Sequence, residues 1–161
     1  MKQLKITEMN KFMGKLLKSE AFDDFLLREG TVRTFMDFVY SGEFHGDYFD
    51  SGERDGLAAE RYACWRDVKE NVLGVIRGKH TPLLIQLSFL AGSELKKSIA
   101  GDNEKGEFSL SLGFTYKNGS ASIVTGVYRS TFSLDKELDR KWDAGVESFL
   151  AKNDINYEEM V

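Results

Sequence analysis

Met9, Phe12, Met13, Leu16 and Leu17 recur at the three-and-four spacing of one helical face. Thr7 stands before them, and a threonine hydroxyl can accept a first-turn N–H that has no partner within a helix. The pattern predicts a helix over 7–18. From Phe22 to Phe49 the chain turns β-rich through Leu26, Leu27, Val32, Phe35, Phe38, Val39 and Tyr40. Ser41-Gly42 reads as the turn that ends this run, with Glu43 to Tyr48 returning as the other arm of a hairpin. Gly46, Gly52 and Gly56 with Asp47, Asp50, Glu53 and Asp55 predict a mobile surface loop over 46–56.

Tyr62, Trp65, Val68, Val72 and Val75 or Ile76 again step by three and four, which predicts a helix over 57–77. Gly78 suits the left-handed position that ends helices, and Thr81-Pro82 forces extended backbone after it. Leu83, Ile85, Leu87 and Phe89 alternate with Leu84, Gln86, Ser88 and Leu90, the signature of a strand over 83–90. A second polar loop spans 91–106, with one turn of helix at Ser93 to Ile99. Leu138, Trp142, Val146, Phe149 and Leu150 predict a helix over 134–152, its first turn carrying Asp135 and Glu137 where negative charge suits the helix dipole. The acidic tail from Asn153 is expected to fray.

Asn118-Gly119 is the strongest local signal, because a two-residue type I′ turn needs positive φ at both positions. It sets Tyr116 opposite Ala121, Phe114 opposite Ile123, Leu112 opposite Thr125 and Leu110 opposite Val127. That face is almost wholly apolar. The other carries Ser109, Ser111, Gly113 and Thr115 against Ser122, Val124, Gly126 and Tyr128, so one face meets a core and the other meets solvent or a ligand. The expectation is a single α+β domain over 1–161. Its sheet is mainly antiparallel, contains the Asn-Gly hairpin over about 108–129, and packs against three helices over 7–18, 57–77 and 134–152.

Composition sharpens this reading. The 161 residues include twelve Phe, six Tyr, two Trp and one Pro, a set that fills a core and leaves no linker. The lone Cys64 cannot close an internal disulfide, the start lacks the apolar run of a signal peptide, and no apolar stretch is long enough to span a bilayer. A cytoplasmic protein with no membrane contact is expected. The net charge of −4 conceals blocks of +4 over 1–19, −8 over 20–60, +4 over 61–97 and −4 over 98–161. The acidic and basic middle blocks are complementary, either to each other or to a partner.

Familiar chemistries fail on spacing. Gly74 to His80 mimics a phosphate loop but is one residue short, places His80 where Ser or Thr must hold magnesium, and runs from helix to strand. Two histidines and one cysteine make a zinc site remote, and Asp50, Glu53 and Asp55 lack calcium-loop spacing, so no metal and no cofactor is expected. Cys64 beside Trp65 reads as an inert thiol. Asn118-Gly119-Ser120 matches a glycosylation sequon that the turn already explains. What remains as candidate ligand-binding chemistry is His45, Asp47, Arg77, Lys79, His80 and Arg129, which would line one sheet end if their strands are neighbours.

Phe22-Asp23-Asp24-Phe25-Leu26-Leu27, Thr34-Phe35 to Ser41-Gly42, Trp65-Arg66-Asp67-Val68-Lys69, Gly78-Lys79-His80-Thr81-Pro82-Leu83, Thr131-Phe132-Ser133-Leu134-Asp135-Lys136 and Trp142-Asp143 together resemble a small uncharacterised family of clostridial-type bacteria. The resemblance covers nearly the whole chain and implies a single-domain cytoplasmic bacterial protein, without an activity. His80 stands where that family carries Arg or Lys before Thr-Pro, which weakens a catalytic role for it. Three functional readings follow. The first is a non-catalytic interaction module, as homodimer or adaptor to an unknown protein. The second is a small-ligand or enzyme site with an anion pocket at a sheet end. The third is a nucleic-acid binder through the 61–97 block, where Arg61, Arg66, Lys69, Arg77 and Lys79 accompany Tyr62 and Trp65.

Overall fold

A computed structural model describes residues 1–54, 60–102, 104 and 106–160. In chain order it contains β1 (Gln3–Ile6), α1 (Met9–Leu17), β2 (Leu26–Arg33), β3 (Asp37–Ser41), a 3-10 turn (Gly46–Tyr48) and α2 (Ser51–Arg54). Next come β4 (Ala63–Cys64), α3 (Trp65–Ile76), β5 (Leu84–Leu90) and α4 (Ser93–Ala100). The chain finishes with β6 (Phe108–Lys117), β7 (Ser120–Arg129), α5 (Glu137–Lys152) and β8 (Tyr157–Glu159). All strands join one sheet in the order β3-β2-β5-β6-β7-β1-β8, with β4 beside β2, and every pairing is antiparallel. The result is an antiparallel α+β domain.

The central hairpin has the register its sequence specifies. Tyr116 faces Ala121, Phe114 faces Ile123 and Leu110 faces Val127, and the turn has φ of 54° at Asn118 and 76° at Gly119. Its apolar face joins Leu4, Val32, Ile85, Leu87 and Phe89 in the core, where α1, α3 and α5 cover it with Phe12, Leu16, Trp65, Val72, Trp142, Val146 and Leu150. Both tryptophans are buried and satisfied, since Trp65 Nε1–H donates to Leu16 O and Trp142 Nε1–H to Ser111 O, each at 2.8 Å. The three long helices α1, α3 and α5 pack on this face.

Several expected boundaries move, each for a tertiary reason. The first hairpin turns at 34–36, where Thr34 N–H donates to Met36 O, so its arms are β2 and β3 instead of meeting at Ser41-Gly42. Gly42 serves another purpose. A Cβ there would lie 1.6 Å from the Leu27 carbonyl oxygen, so glycine marks a close crossing of two backbones. Residues 60–64 are not helical, because Ala63 N–H donates to Gly42 O, Phe44 N–H to Arg61 O, and β4 pairs with the start of β2. The expected helix start at 57, with Asp55 and Gly56 of the loop, lies outside the described residues.

α3 stops at Ile76 with Arg77 already extended, and Gly78 does not have positive φ. The helix of 7–18 begins at Met9, preceded by β1, and no side chain caps it. α5 begins at Glu137. The acidic tail does not fray: Ile155 is buried and β8 pairs with β1. Among the described residues five helices stand: the three long ones, α4 where a turn of helix was expected at Ser93 to Ile99, and α2, a four-residue segment inside the expected loop of 46–56.

Candidate functional site

The six candidate residues fall at three separate places. Arg77, Lys79 and His80 come together at the end where β2 finishes and β5 begins, around a concavity of about 660 Å³ that also contains Phe35, Phe38 and Leu83. His45 and Asp47 follow β3, exposed beside the 3-10 turn, where Arg54 Nε–H donates to Gly46 O and its Nη2–H to Asp47 O. Arg129 closes β7 opposite Phe108, at the other end of the sheet from Arg77, and pairs with Glu104. The seven residues of β5 separate the two ends, roughly 20 Å at about 3.3 Å per residue. Among the described residues, the concavity that holds Lys79 and His80 includes neither His45 nor Arg129.

A different site arises from the uncovered face of the sheet. Glu29, Thr31, Gln86, Ser88, Gly113, Thr115 and Val124 floor an open trough of about 710 Å³, with Arg28, Val39, Ser41, Glu43 and Tyr62 at its sides. Small side chains make the trough, because alternation points every second residue of β5, β6 and β7 away from the helices. Gly113 is the low point, as a Cβ there would meet only Val124 O at 3.8 Å. The β2–β5 register slips between Leu27 and Glu29, a bulge that turns the consecutive Arg28 and Glu29 onto this face.

At the end where β5 finishes, the trough continues into a bay of about 460 Å³ lined by Leu26, Arg28, Glu60, Arg61, Tyr62, Leu90, Ser93, Lys96, Ser109 and Tyr128. Each element delivers a specific group. The bulge supplies Arg28, the backbone before β4 supplies Arg61 and Tyr62, the first turn of α4 supplies Ser93 and Lys96, and β6 and β7 supply Ser109 and Tyr128. The Arg61 guanidinium carbon lies 5.2 Å from the Tyr62 ring centroid and Lys96 Nζ 4.5 Å from that of Phe108, contacts that hold both cations in place. Among the described residues, Arg28, Arg61 and Lys96 form no ion pair. Glu60 Oε1 accepts the Ser93 N–H at 3.0 Å, so a carboxylate already sits at the positive end of α4.

The sequence undervalued these residues for clear reasons. Arg28 sits within an apolar run, and only a bulge makes it face the bay. Tyr62 fell on an apparent helical face, whereas it belongs to extended backbone bridged to Glu43. Cys64 is partly buried, and burial pushes its thiol up from the usual range, which disfavours a thiolate nucleophile. The 61–97 block loses much of its free charge, because Arg66 pairs with Asp24 and Lys69 with Asp23, and Trp65 has no exposed ring on which a base could stack.

No helix among the described residues is long and apolar enough to cross a membrane. No curated protein and no solved structure matches the chain. A family model does match, across residues 15–158, and the chain therefore belongs to DUF5721, a family of unknown function.

Proposed function

We propose that this protein is a binding module that receives an anionic small molecule, with phosphate or carboxylate groups, in the bay at one end of its open sheet face. The observation that carries the reading is the meeting of Arg28, Arg61 and Lys96 in one concavity without an ion pair among the described residues. Arginine offers forked donors to phosphate or carboxylate oxygens, and the hydroxyls of Ser93, Ser109, Tyr62 and Tyr128 add neutral donors beside them. The trough leading away supplies room and uncharged polar contacts for the rest of the ligand. The reading keeps a bacterial cytoplasmic setting, which rests on the lone Cys64 and the sequence resemblance.

Calorimetric titration with inorganic phosphate, citrate and adenosine monophosphate tests it. At least one of these should bind, and Arg28→Ala, Arg61→Ala or Lys96→Ala should each weaken that affinity about tenfold, the loss of one charge-assisted contact. Lys117→Ala, at the far end of β6, should leave it unchanged. Absence of binding by all three probes at millimolar concentration, or equal weakening by Lys117→Ala, overturns the reading.

A further inference from the structure

The two edges of the sheet are built differently. β8 is three residues long and carries Glu158 and Glu159, short and charged as an edge that resists pairing should be. β3 has five residues, Asp-Phe-Val-Tyr-Ser, with no proline, and the carboxylate of Asp37 is engaged with Arg33 of the neighbouring strand. Beside this edge the exposed side chains are apolar: Val39 is 76% exposed, Phe35 89% and Leu83 64%. One side of β3 pairs with β2, and its other side has no strand partner among the described residues. Such an edge presents a row of free backbone donors and acceptors for another strand.

We propose that β3 pairs antiparallel with β3 of a second copy of this chain, about a two-fold axis at Val39, so that two sheets become one. Self-pairing suits the side chains. Val39 meets the partner's Val39, Asp37 faces the partner's Ser41, and Phe38 faces the partner's Tyr40, giving two aromatic cross-strand pairs on the helix-covered side. It also suits the charges. Arg77, Lys79 and His80 gather at the end where β3 begins, whereas Glu43 and Asp47 follow the end where it stops. Antiparallel pairing sets the basic end of each copy against the acidic end of the other, twice per dimer. None of Arg77, Lys79 and Glu43 forms an ion pair among the described residues, so these charges are free to face a partner. A peptide of unrelated sequence could use the same backbone edge, but it would not match both charge ends.

Light scattering coupled to size-exclusion chromatography, with sedimentation equilibrium over a concentration series, tests this on the full chain. The native protein should be a dimer that dissociates on dilution. Val39→Lys sets two ammonium groups face to face on the axis and should give a monomer with an unchanged circular dichroism spectrum, because Val39 is largely exposed. Lys79→Glu and Glu43→Lys should each raise the dissociation constant several-fold, and the double exchange should restore it. A native chain that is monomeric at all concentrations, a Val39→Lys chain that still dimerises, or charge variants whose effects simply add would overturn the proposal.

Discussion

Thr125 is the one buried polar residue among those described, and it joins three parts of the molecule. Its hydroxyl accepts the Lys2 N–H at 2.9 Å and donates to Asp143 of α5, while its own N–H donates to Lys2 O at 3.0 Å. Thr125→Val keeps the shape but leaves the Lys2 amide and the Asp143 carboxylate short of a partner. Such a group costs about 1 to 3 kcal/mol when buried. Urea unfolding should show that loss, and Thr125→Ser, which retains the hydroxyl, should lose less. The alternation of β7 placed Thr125 on the inward face, opposite Leu112, from the residue pattern alone. Its partners were not legible, since Lys2 lies 123 residues away on the segment that β1 brings beside β7, and Asp143 reaches it only when α5 packs on the sheet.

At the scale of elements, the crossing at Gly42 decides how the first hairpin and β4 fit together. Gly42 N–H donates to Arg28 O at 3.0 Å, Gly42 O accepts the Ala63 N–H at 2.8 Å, and Leu27 O occupies the space a side chain would need. Gly42→Ala drives a methyl group into backbone that no rotamer change can move. It should destabilise the chain by about 3 kcal/mol or more, at the upper end of overpacking costs. Thermal unfolding of Gly42→Ala beside Gly14→Ala, where a Cβ meets nothing within 4 Å, separates this steric effect from a general effect of replacing glycine. A glycine after a β-rich run reads locally as a turn, as Ser41-Gly42 does. Only the path of β2 beneath it reveals a close approach. The Asn118-Gly119 turn shows the opposite case, in which the two residues that must adopt positive φ announce the hairpin and its register without help.

For the whole molecule, the closing strand is the part whose removal should be most informative. Ile155 is 4% exposed, Thr7 N–H donates to Asn156 O at 3.2 Å, and β8 covers the outer side of β1. Ending the chain at Asn153 removes the Ile155 side chain from the core and bares β1. The cost should be about 2 to 4 kcal/mol, the scale of deleting a large core side chain, read as a lower urea midpoint. The fold should persist, because the central strands and both tryptophans keep their contacts. The amino-acid sequence by itself determined the α+β class, the central hairpin with its register, the core of aromatic and aliphatic residues, and the small polar character of the face turned from them. All of these follow from local turn chemistry and from periodicities of two and 3.6 residues. The tertiary structure alone decided that the three long helices gather on one side, that a bulge aims Arg28 at Arg61 and Lys96, and that His45 and Arg129 lie a strand's length from Lys79 and His80. Those relations depend on strand order and backbone crossings between distant segments, which no local pattern of side chains encodes.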